Sequence, residues 1–285
     1  MIMIPVRAFN LQHTLECGQA FRWRRYGDGY LGVVGNAIWK VSRKGGTLFV
    51  ESDPPVSVDD ITYYFSLSLD LSKAVAPLRE DSLLEAAFQE FWGLRILRQD
   101  PWECLGSYIV SSFNNVKRIT GLVENLSTRF GTPVGSNGTL RYTFPTPEKV
   151  ETLTSSDLHS IRPGFRGRYI LETAKKVTEG KFNLKSLNQM DTARAKKMLL
   201  TLPGVGEKVA DCVLLFAYGK QDAFPIDVWV ERVLRKLYFH GRRRTLRKMQ
   251  RFAQRRFGAA AGYAQEYLYA YSRKYLKTPR DNRKI

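Results

Sequence analysis

The stretch "LPGVGEKVADC" at residues 202–212 places a short glycine turn between two predicted helices. Asp191 can cap the start of a helix through "TARAKKMLLTL", and Pro203 cannot continue that helix. A second helix is predicted from near Glu207 to a C-terminal cap at Gly219. The turn residues that can approach a ligand are Gly204, Val205 and Gly206. Because glycines let the backbone come close, the N–H groups at the start of the second helix can contact a phosphate. The pattern is neither a phosphate-binding loop of the G-x-x-x-x-G-K-[ST] type nor a dinucleotide-binding fingerprint.

Lys208 is the charged residue at the start of this second helix. It lies four residues before Cys212, so both side chains share one helix face at the edge of the predicted core. A partly desolvated amine near the positive end of a helix is favoured in its neutral, nucleophilic form. The alternative is that Lys208 extends outward to pair with a phosphate or with Asp211.

Asp227, in "FPIDVWVERVLRKLY", follows Pro225 and is predicted to cap the next helix. The cap hydrogen bonds and the helix dipole would keep its carboxylate ionised at neutral pH. A fixed carboxylate near an amine can stabilise positive charge that develops on a sugar while the amine attacks it. The capping role of Asp227 is therefore compatible with a second role in nucleophilic chemistry on a sugar.

Positive charge is concentrated in the C-terminal part of the chain. The 285 residues carry a formal charge of +18, and residues 231–285 hold 17 Lys/Arg against three acidic residues. Such a distribution indicates a surface that binds a polyanion.

Composition argues against several other classes of protein. Cys17, Cys104 and Cys212 lie far apart and form no metal-binding motif, and their odd number argues against a disulfide framework. This cysteine usage favours a reducing, cytoplasmic compartment. The N-terminus lacks the pattern of a signal peptide, and no apolar run approaches the ~18–20 residues that span a membrane. We therefore expect no membrane partner.

The predicted architecture is α+β. Four short strands, "QAFRW" (19–23), "YLGVV" (30–34), "AIWKV" (37–41) and "TLFVE" (47–51), alternate with turn sequences and predict an antiparallel meander. From about Leu83 onward the apolar spacing becomes helical. We predict an N-terminal β domain over 1–82 and a larger all-helical domain over 83–285 that contains the hairpin. A stripe at Tyr263, Tyr267, Tyr271 and Tyr275 in the last helix is expected to pack in the core.

Several segments together resemble a known family. The hairpin "LPGVGEK" followed by "PIDV" resembles the helix-hairpin-helix DNA glycosylases. "ECGQAFRWR" (16–24), "RQDPWECLGSYIVSSFNNVKRITG" (98–121), "PGFRGRYI" (163–170) and "AGYAQEYLY" (261–269) resemble the 8-oxoguanine branch of that superfamily. The matches occur in order along nearly the whole chain.

The resemblance implies an enzyme of base excision repair. It would be a bifunctional 8-oxoguanine DNA glycosylase/AP lyase that flips the damaged base out of duplex DNA, acts as a monomer and needs no cofactor. Lys208 would be the nucleophile that forms a Schiff base with the deoxyribose, and Asp227 the essential acidic residue.

The base pocket is implied by the same resemblance. Gly18 would offer its carbonyl to the N7–H of 8-oxoguanine, a hydrogen that guanine lacks. Cys212 and Tyr269 would stack on the two faces of the base, and Gln265 would bind its Watson–Crick edge.

Further positions would contact the DNA around the lesion. Phe165 would be the inserted wedge, and Arg118 and Arg166 would hold the orphaned cytosine. Phe113 stands where better-known members carry an asparagine that contacts this cytosine, so a strict preference for cytosine is not expected. The carbonyls of Leu200, Leu202 and Val205 could hold a structural cation, and no catalytic metal is expected.

Two other functions remain open from the sequence. A non-catalytic helix-hairpin-helix DNA-binding module would need the glycine turn and the basic surface but neither Lys208 nor Asp227. A glycosylase for another damaged base is the second alternative. The chain has no cysteine after Cys212, whereas the endonuclease III branch carries a four-cysteine iron–sulfur loop there.

Overall fold

The N-terminal part of the protein is a five-stranded antiparallel sheet with strand order β1-β5-β4-β3-β2. It is seen in a computed structural model that describes residues 1–112, 114–135 and 139–276. The strands are β1 (Ile2–Pro5), β2 (Arg24–Tyr26), β3 (Gly29–Val34), β4 (Ala37–Lys44) and β5 (Thr47–Asp53). Val41 of β4 is paired with Val50 of β5, and both are buried with Trp39 and Leu48. This buried face forms a small core of its own.

Three of the four predicted strands are confirmed as β3, β4 and β5, but the prediction for "QAFRW" is wrong. The buried Gln19 side chain donates to the carbonyls of Thr14 (2.9 Å) and Arg95 (2.8 Å) and accepts from the Leu97 N–H (2.8 Å). The polar groups of Gln19 therefore join the sheet region to residues 95–99 instead of entering a strand ladder. The strand begins after this segment, at Arg24.

α-Helices are the main secondary structure of the chain. They are α1 (Leu11–Glu16), α2 (Val58–Tyr64), α3 (Leu71–Val75), α4 (Ser82–Phe91), α5 (Pro101–Ser111), α6 (Val116–Phe130), α7 (Pro147–Glu151), α8 (Ser155–Ile161), α9 (Arg166–Thr178), α10 (Thr192–Leu199), α11 (Glu207–Phe216), α12 (Val228–Val233), α13 (Leu246–Phe257) and α14 (Ala261–Tyr275). The predicted α+β architecture is confirmed. It differs in detail because helices already begin before Leu83, and because a ribbon of β6 (Pro133–Val134) and β7 (Arg141–Tyr142) lies among the later helices. The division into 1–82 and 83–285 stays a prediction.

The hairpin forms as the sequence predicts. The Asp191 side chain caps α10 by accepting from the Arg194 N–H (2.8 Å), and α11 begins at Glu207. Gly204 has a φ of +74°, and a Cβ there would lie 2.5 Å from the Tyr169 ring of α9. Only glycine fits this turn, because both the backbone conformation and the close approach exclude a side chain. At the far end α11 stops at Phe216 with Ala217 as its C-cap, so the cap predicted at Gly219 is two residues too late. Gly219, with a φ of +63°, still donates to the carbonyl of Leu215 (3.1 Å).

The last helix, α14, packs at the centre of the helical core against α4 and α12. The tyrosine stripe is only half buried in that core: Tyr263 and Tyr267 are buried, Tyr271 is partly buried, and Tyr275 is 48% exposed. The prediction of core packing is therefore wrong for Tyr275, which lies at the end of the helix. Within the described ranges, no helix combines the length and the apolar character that crossing a membrane requires.

Candidate active site

Lys208 occupies the second position of α11, with its side chain partly buried against α5. Its Nζ donates to Ser111 Oγ (3.2 Å) and lies 4.7 Å from the centroid of the Tyr108 ring. The Ser111 hydroxyl donates in turn to the Tyr108 carbonyl (2.7 Å), so its lone pairs are free to accept from the amine. The alternative partner, Asp211, is instead bound by Lys196 Nζ (2.9 Å). Among the described residues, no carboxylate forms a salt bridge with Lys208, so the amine is left available for chemistry.

Asp227 caps α12, as predicted. Its Oδ1 accepts from the Trp229 N–H (3.0 Å) and the Val230 N–H (2.8 Å). Burial raises the pKa of the Asp227 carboxyl, while these two N–H groups and the positive charges of Lys208 and Arg273 act in the opposite direction. Burial is the largest of these effects, so the net shift of the Asp227 pKa is upward from its ordinary value. Ionisation of Asp227 at neutral pH stays a prediction, and the Val230 N–H and the charge of Lys208 are the strongest effects that favour it.

Gly18 and Tyr269, which are both predicted to line the base pocket, lie in close contact with each other. Gly18 has a φ of +95°, and a Cβ there would lie 3.2 Å from Tyr269 Oη and 3.4 Å from Arg273 Nη1. Arg273 holds this arrangement, because its Nη1 donates to the Cys17 carbonyl (3.3 Å) and its Cζ lies 5.6 Å from the centroid of the Tyr269 ring. The Gly18 backbone is thus fixed against α14.

Cys212 and Gln265 are both buried near this pocket. Burial raises the pKa of the Cys212 thiol to about 12, although the charge of Lys208 lowers it. The thiol is therefore neutral at pH 7 and suited to packing rather than to nucleophilic attack. Gln265 is 4% exposed, and within the part of the chain that the structure describes its Oε1 has no hydrogen-bond partner. An unsatisfied buried amide oxygen is a candidate for binding a ligand.

The residues predicted to contact DNA lie around the N-terminus of α9. Phe165 is 54% exposed, and its ring meets the ring of Tyr169 edge-on at 5.8 Å. Arg166 is buried, with Nε donating to the Ser112 carbonyl (2.5 Å) and Cζ lying 4.4 Å from the centroid of the Phe165 ring. Burial lowers the pKa of Arg166, and the positive charge of Arg118 lowers it further. Arg118 itself is exposed. Phe113 lies outside the described residues.

The backbone of the hairpin turn lies beside α9, where Gly204 contacts the Tyr169 ring. Val205 is buried, whereas Gly206 is exposed and a Cβ there would meet nothing within 4 Å. Side chains of α9 take up two turn carbonyls, since Lys176 donates to Thr201 (3.0 Å) and Thr173 to Pro203 (3.4 Å). The Leu202 carbonyl accepts from the Val205 N–H (3.2 Å). The cation site at Leu200, Leu202 and Val205 stays a prediction.

Sequence reasoning missed three residues of the site. Arg273 lies four residues after Tyr269 on α14, a spacing that could have placed it on the same face. Ser111 follows Tyr108 by three residues on α5, so the sequence could place both on one helix face. The sequence could not show that Ser111 contacts Lys208. Glu266 is 2% exposed, and burial raises its pKa to about 8. No sequence signal distinguishes this glutamate from a surface residue.

The comparisons with known proteins agree with this geometry. Residues 107–258 match the HhH-GPD superfamily of base excision DNA repair proteins, and residues 1–105 match the N-terminal domain of 8-oxoguanine DNA glycosylase. The hairpin with Lys208 and Asp227 is thus that of a helix-hairpin-helix repair protein.

Individual relatives cover almost the whole chain. A probable N-glycosylase/DNA lyase of Methanothermobacter thermautotrophicus is 32% identical over 95% of this chain and 96% of its own length. The structure of MBOgg1 with a low-affinity DNA ligand is 39% identical, covers 96% of both chains and has a TM-score of 0.91. The Clostridium acetobutylicum 8-oxoguanine glycosylase/lyase, bound to DNA with cytosine opposite 8-oxoguanine, is 31% identical over 94% of this chain and 93% of its own, with a TM-score of 0.89. The chain belongs to the 8-oxoguanine N-glycosylase/DNA lyase family.

Proposed function

We propose that this protein excises 8-oxoguanine from duplex DNA and then nicks the strand, as a bifunctional glycosylase/AP lyase. The observation that carries the proposal is the Lys208 amine, which is partly buried beside Ser111 and Tyr108 and, among the described residues, has no carboxylate partner. An amine held in this way can act as a nucleophile.

The reaction would proceed at the deoxyribose. Lys208 Nζ attacks C1′ and the bond from C1′ to N9 breaks, so that the base leaves and takes up a proton. The amine then loses a proton, the C1′–O4′ bond breaks with protonation of O4′, and a Schiff base joins C1′ to Nζ. Removal of a proton from C2′ then breaks the C3′–O3′ bond by β-elimination and releases the 3′ strand with its phosphate. The Asp227 carboxylate, in its ionised form, would stabilise the positive charge that develops at C1′.

Selection of 8-oxoguanine would be made by Gly18 together with residues of α11 and α14. The Gly18 carbonyl would accept from the N7–H of the lesion, whereas guanine would present a lone pair there. A mispaired buried polar group costs about 1–3 kcal/mol. Cys212 and Tyr269 would stack on the base, and the unpaired Oε1 of Gln265 supports a role at its Watson–Crick edge.

The surrounding surface would hold the duplex. The backbone of Gly204, Val205 and Gly206 would bind a phosphate, the exposed Phe165 would fill the gap left by the flipped base, and Arg118 with Arg166 would contact the opposite base. We also propose that the protein acts as a monomer. A cytoplasmic location, associated with the nucleoid if the source is prokaryotic, is supported by three cysteines that are buried and free.

The test measures base release and strand nicking separately, in single turnover, on a duplex with one 8-oxoguanine. Direct analysis of the strands reports nicking, and alkali treatment reveals base release. We expect both from the wild type, neither from Lys208→Gln, and wild-type rates from the control Lys185→Gln, which changes an exposed lysine elsewhere.

Three results would contradict the proposal in different ways. Base release that persists in Lys208→Gln would make the enzyme monofunctional and our role for Lys208 wrong. Release of another damaged base but not of 8-oxoguanine would favour the second glycosylase alternative. Tight DNA binding without release or nicking would indicate a non-catalytic DNA-binding module.

A further inference from the structure

Helix α13 carries a row of exposed arginines that the proposed chemistry does not use. Arg247, Arg251 and Arg255 are spaced four residues apart, and all three are exposed. The opposite face of the helix buries Met249 and Ala253. We call Arg247, Arg251 and Arg255 the α13 arginine row.

A contact between α13 and α11 places this row next to the hairpin. Gln250 Nε2 donates to Oε2 of Glu207 (3.0 Å), the first residue of α11 after the glycine turn. Successive residues of an α-helix are about 100° apart, so Arg247 and Arg251 lie about 60° and about 100° around the helix from Gln250, away from its buried face. Arg255 lies about 140° around the helix from Gln250, so the row starts at Arg247, the member nearest the hairpin side of α13, and turns away from that side towards Arg255.

The other side of α13 is occupied by structural contacts. Arg256 Nη2 pairs with Asp81 Oδ2 (2.9 Å), and the Phe252 ring packs against Tyr238 and Phe239 with centroid distances of 5.3 Å and 5.0 Å. These contacts fix the rotation of the helix and hence the direction in which the arginine row faces.

The arginines of the row differ from their neighbour Arg256 in their acidic partners. Among the described residues, no carboxylate forms a salt bridge with Arg247, Arg251 or Arg255, whereas Arg256 pairs with Asp81. From Arg247 to Arg255 the row spans about 12 Å at ~1.5 Å per residue. One DNA strand has a phosphate about every 3.4 Å along its axis, so a row of this length can follow several phosphates.

We propose that the α13 arginine row is a second binding surface for the DNA backbone, continuous with the hairpin turn and independent of base sequence. This inference rests on the proposed function only in taking duplex DNA as the ligand. The positive charge of the α13 arginine row complements the phosphates, and the position of the row would extend the protein–DNA contact away from the lesion.

The test is the salt dependence of duplex binding, measured by fluorescence anisotropy with the full chain. The Arg247→Gln/Arg251→Gln variant is compared with Arg43→Gln/Lys44→Gln, which removes the same charge from exposed residues at the end of β4. Each lost phosphate contact reduces the slope of log K against log salt by about 0.9. We expect the magnitude of the slope to be about 1.8 smaller in the α13 variant than in the wild type, equally on undamaged and 8-oxoguanine duplexes. The control variant should keep the wild-type slope.

Other results would overturn the inference. A wild-type slope in the α13 variant would show that the row does not bind the backbone. Equal losses in both variants would mean that net charge alone matters, and a loss confined to the damaged duplex would place the row in lesion recognition. Failure of the wild type to release 8-oxoguanine would refute the proposed function but would leave this slope comparison unaffected.

Discussion

Replacing the buried Glu266 by glutamine should make the protein's stability less dependent on pH. Glu266 is 2% exposed, and in the described part of the chain its Oε2 has no hydrogen-bond partner. Burial raises its pKa from 4.5 to about 8, with the nearby charge of Asp227 acting in the same direction and Cys17 and Arg273 opposing it. The carboxyl is therefore protonated in the folded protein at pH 7, whereas in the unfolded chain it is ionised.

The sign of the effect follows from proton binding. Between the unfolded pKa and the folded pKa of Glu266 the folded state holds one proton more than the unfolded state, so raising the pH favours unfolding. The stability contributed by the protonated carboxyl is complete below about pH 4.5 and is lost as the pH rises towards about 8. At about 1.4 kcal/mol per pH unit, the change from pH 5.0 to 7.5 lowers the free energy of unfolding by about 3 kcal/mol.

The assay is chemical denaturation of wild type and Glu266→Gln at pH 5.0 and pH 7.5. Glutamine keeps the shape of the side chain but cannot ionise, so we expect the decrease between the two pH values to be about 3 kcal/mol smaller in the variant. Glu148→Gln, which changes an exposed glutamate in α7, should behave as the wild type. If Glu266→Gln lost as much stability as the wild type over this range, the carboxyl would not be held protonated by burial and our reasoning would be refuted.

Three further substitutions or treatments test other parts of the structure. Gly18→Ala should slow single-turnover excision and lower the free energy of unfolding by about 1–2 kcal/mol, because alanine is disfavoured at positive φ and its Cβ would lie 3.2 Å from Tyr269 Oη; wild-type kinetics would contradict the close packing at this position. Lys196→Met leaves the Asp211 carboxyl buried without its cation and should cost about 3–5 kcal/mol in a denaturation experiment, most of which Lys196→Met/Asp211→Asn should restore; no recovery in the double variant would argue against this ion pair as the cause. Cys212 should resist iodoacetamide at pH 7.5 in the native protein and react only after unfolding, as followed by mass spectrometry, because burial raises its thiol pKa to about 12; rapid native labelling would contradict the buried, neutral thiol.

The hairpin was predictable because its determinants are local. Asp191 and Asp227 each cap a helix by accepting from N–H groups two or three residues ahead. Pro203 and Gly204 form the turn between α10 and α11. The four-residue spacing from Lys208 to Cys212 places both side chains on one helix face. Each of these signals lies within a few residues of the structure that it specifies.

Other features depend on distant residues and were not predictable in the same way. "QAFRW" has the composition of a strand, but the hydrogen bonds of Gln19 go to residues 95–99, which no local pattern reveals. The strand β1 exists because it pairs with β5 more than 40 residues later in the sequence, Ile2 opposite Val50. The upward pKa shift of Asp227 arises from tertiary burial, which outweighs the capping that the sequence does show.

The central claim is that Lys208 attacks the sugar of a damaged nucleotide, and trapping with borohydride tests it most directly. Borohydride reduces a Schiff base to a stable amine and so joins the protein covalently to DNA. With wild type and a duplex that carries one 8-oxoguanine, we predict a covalent adduct whose modified residue is Lys208, with none from Lys208→Gln and none on undamaged DNA. An adduct that persists in Lys208→Gln, or no wild-type adduct while base release continues, would contradict the account.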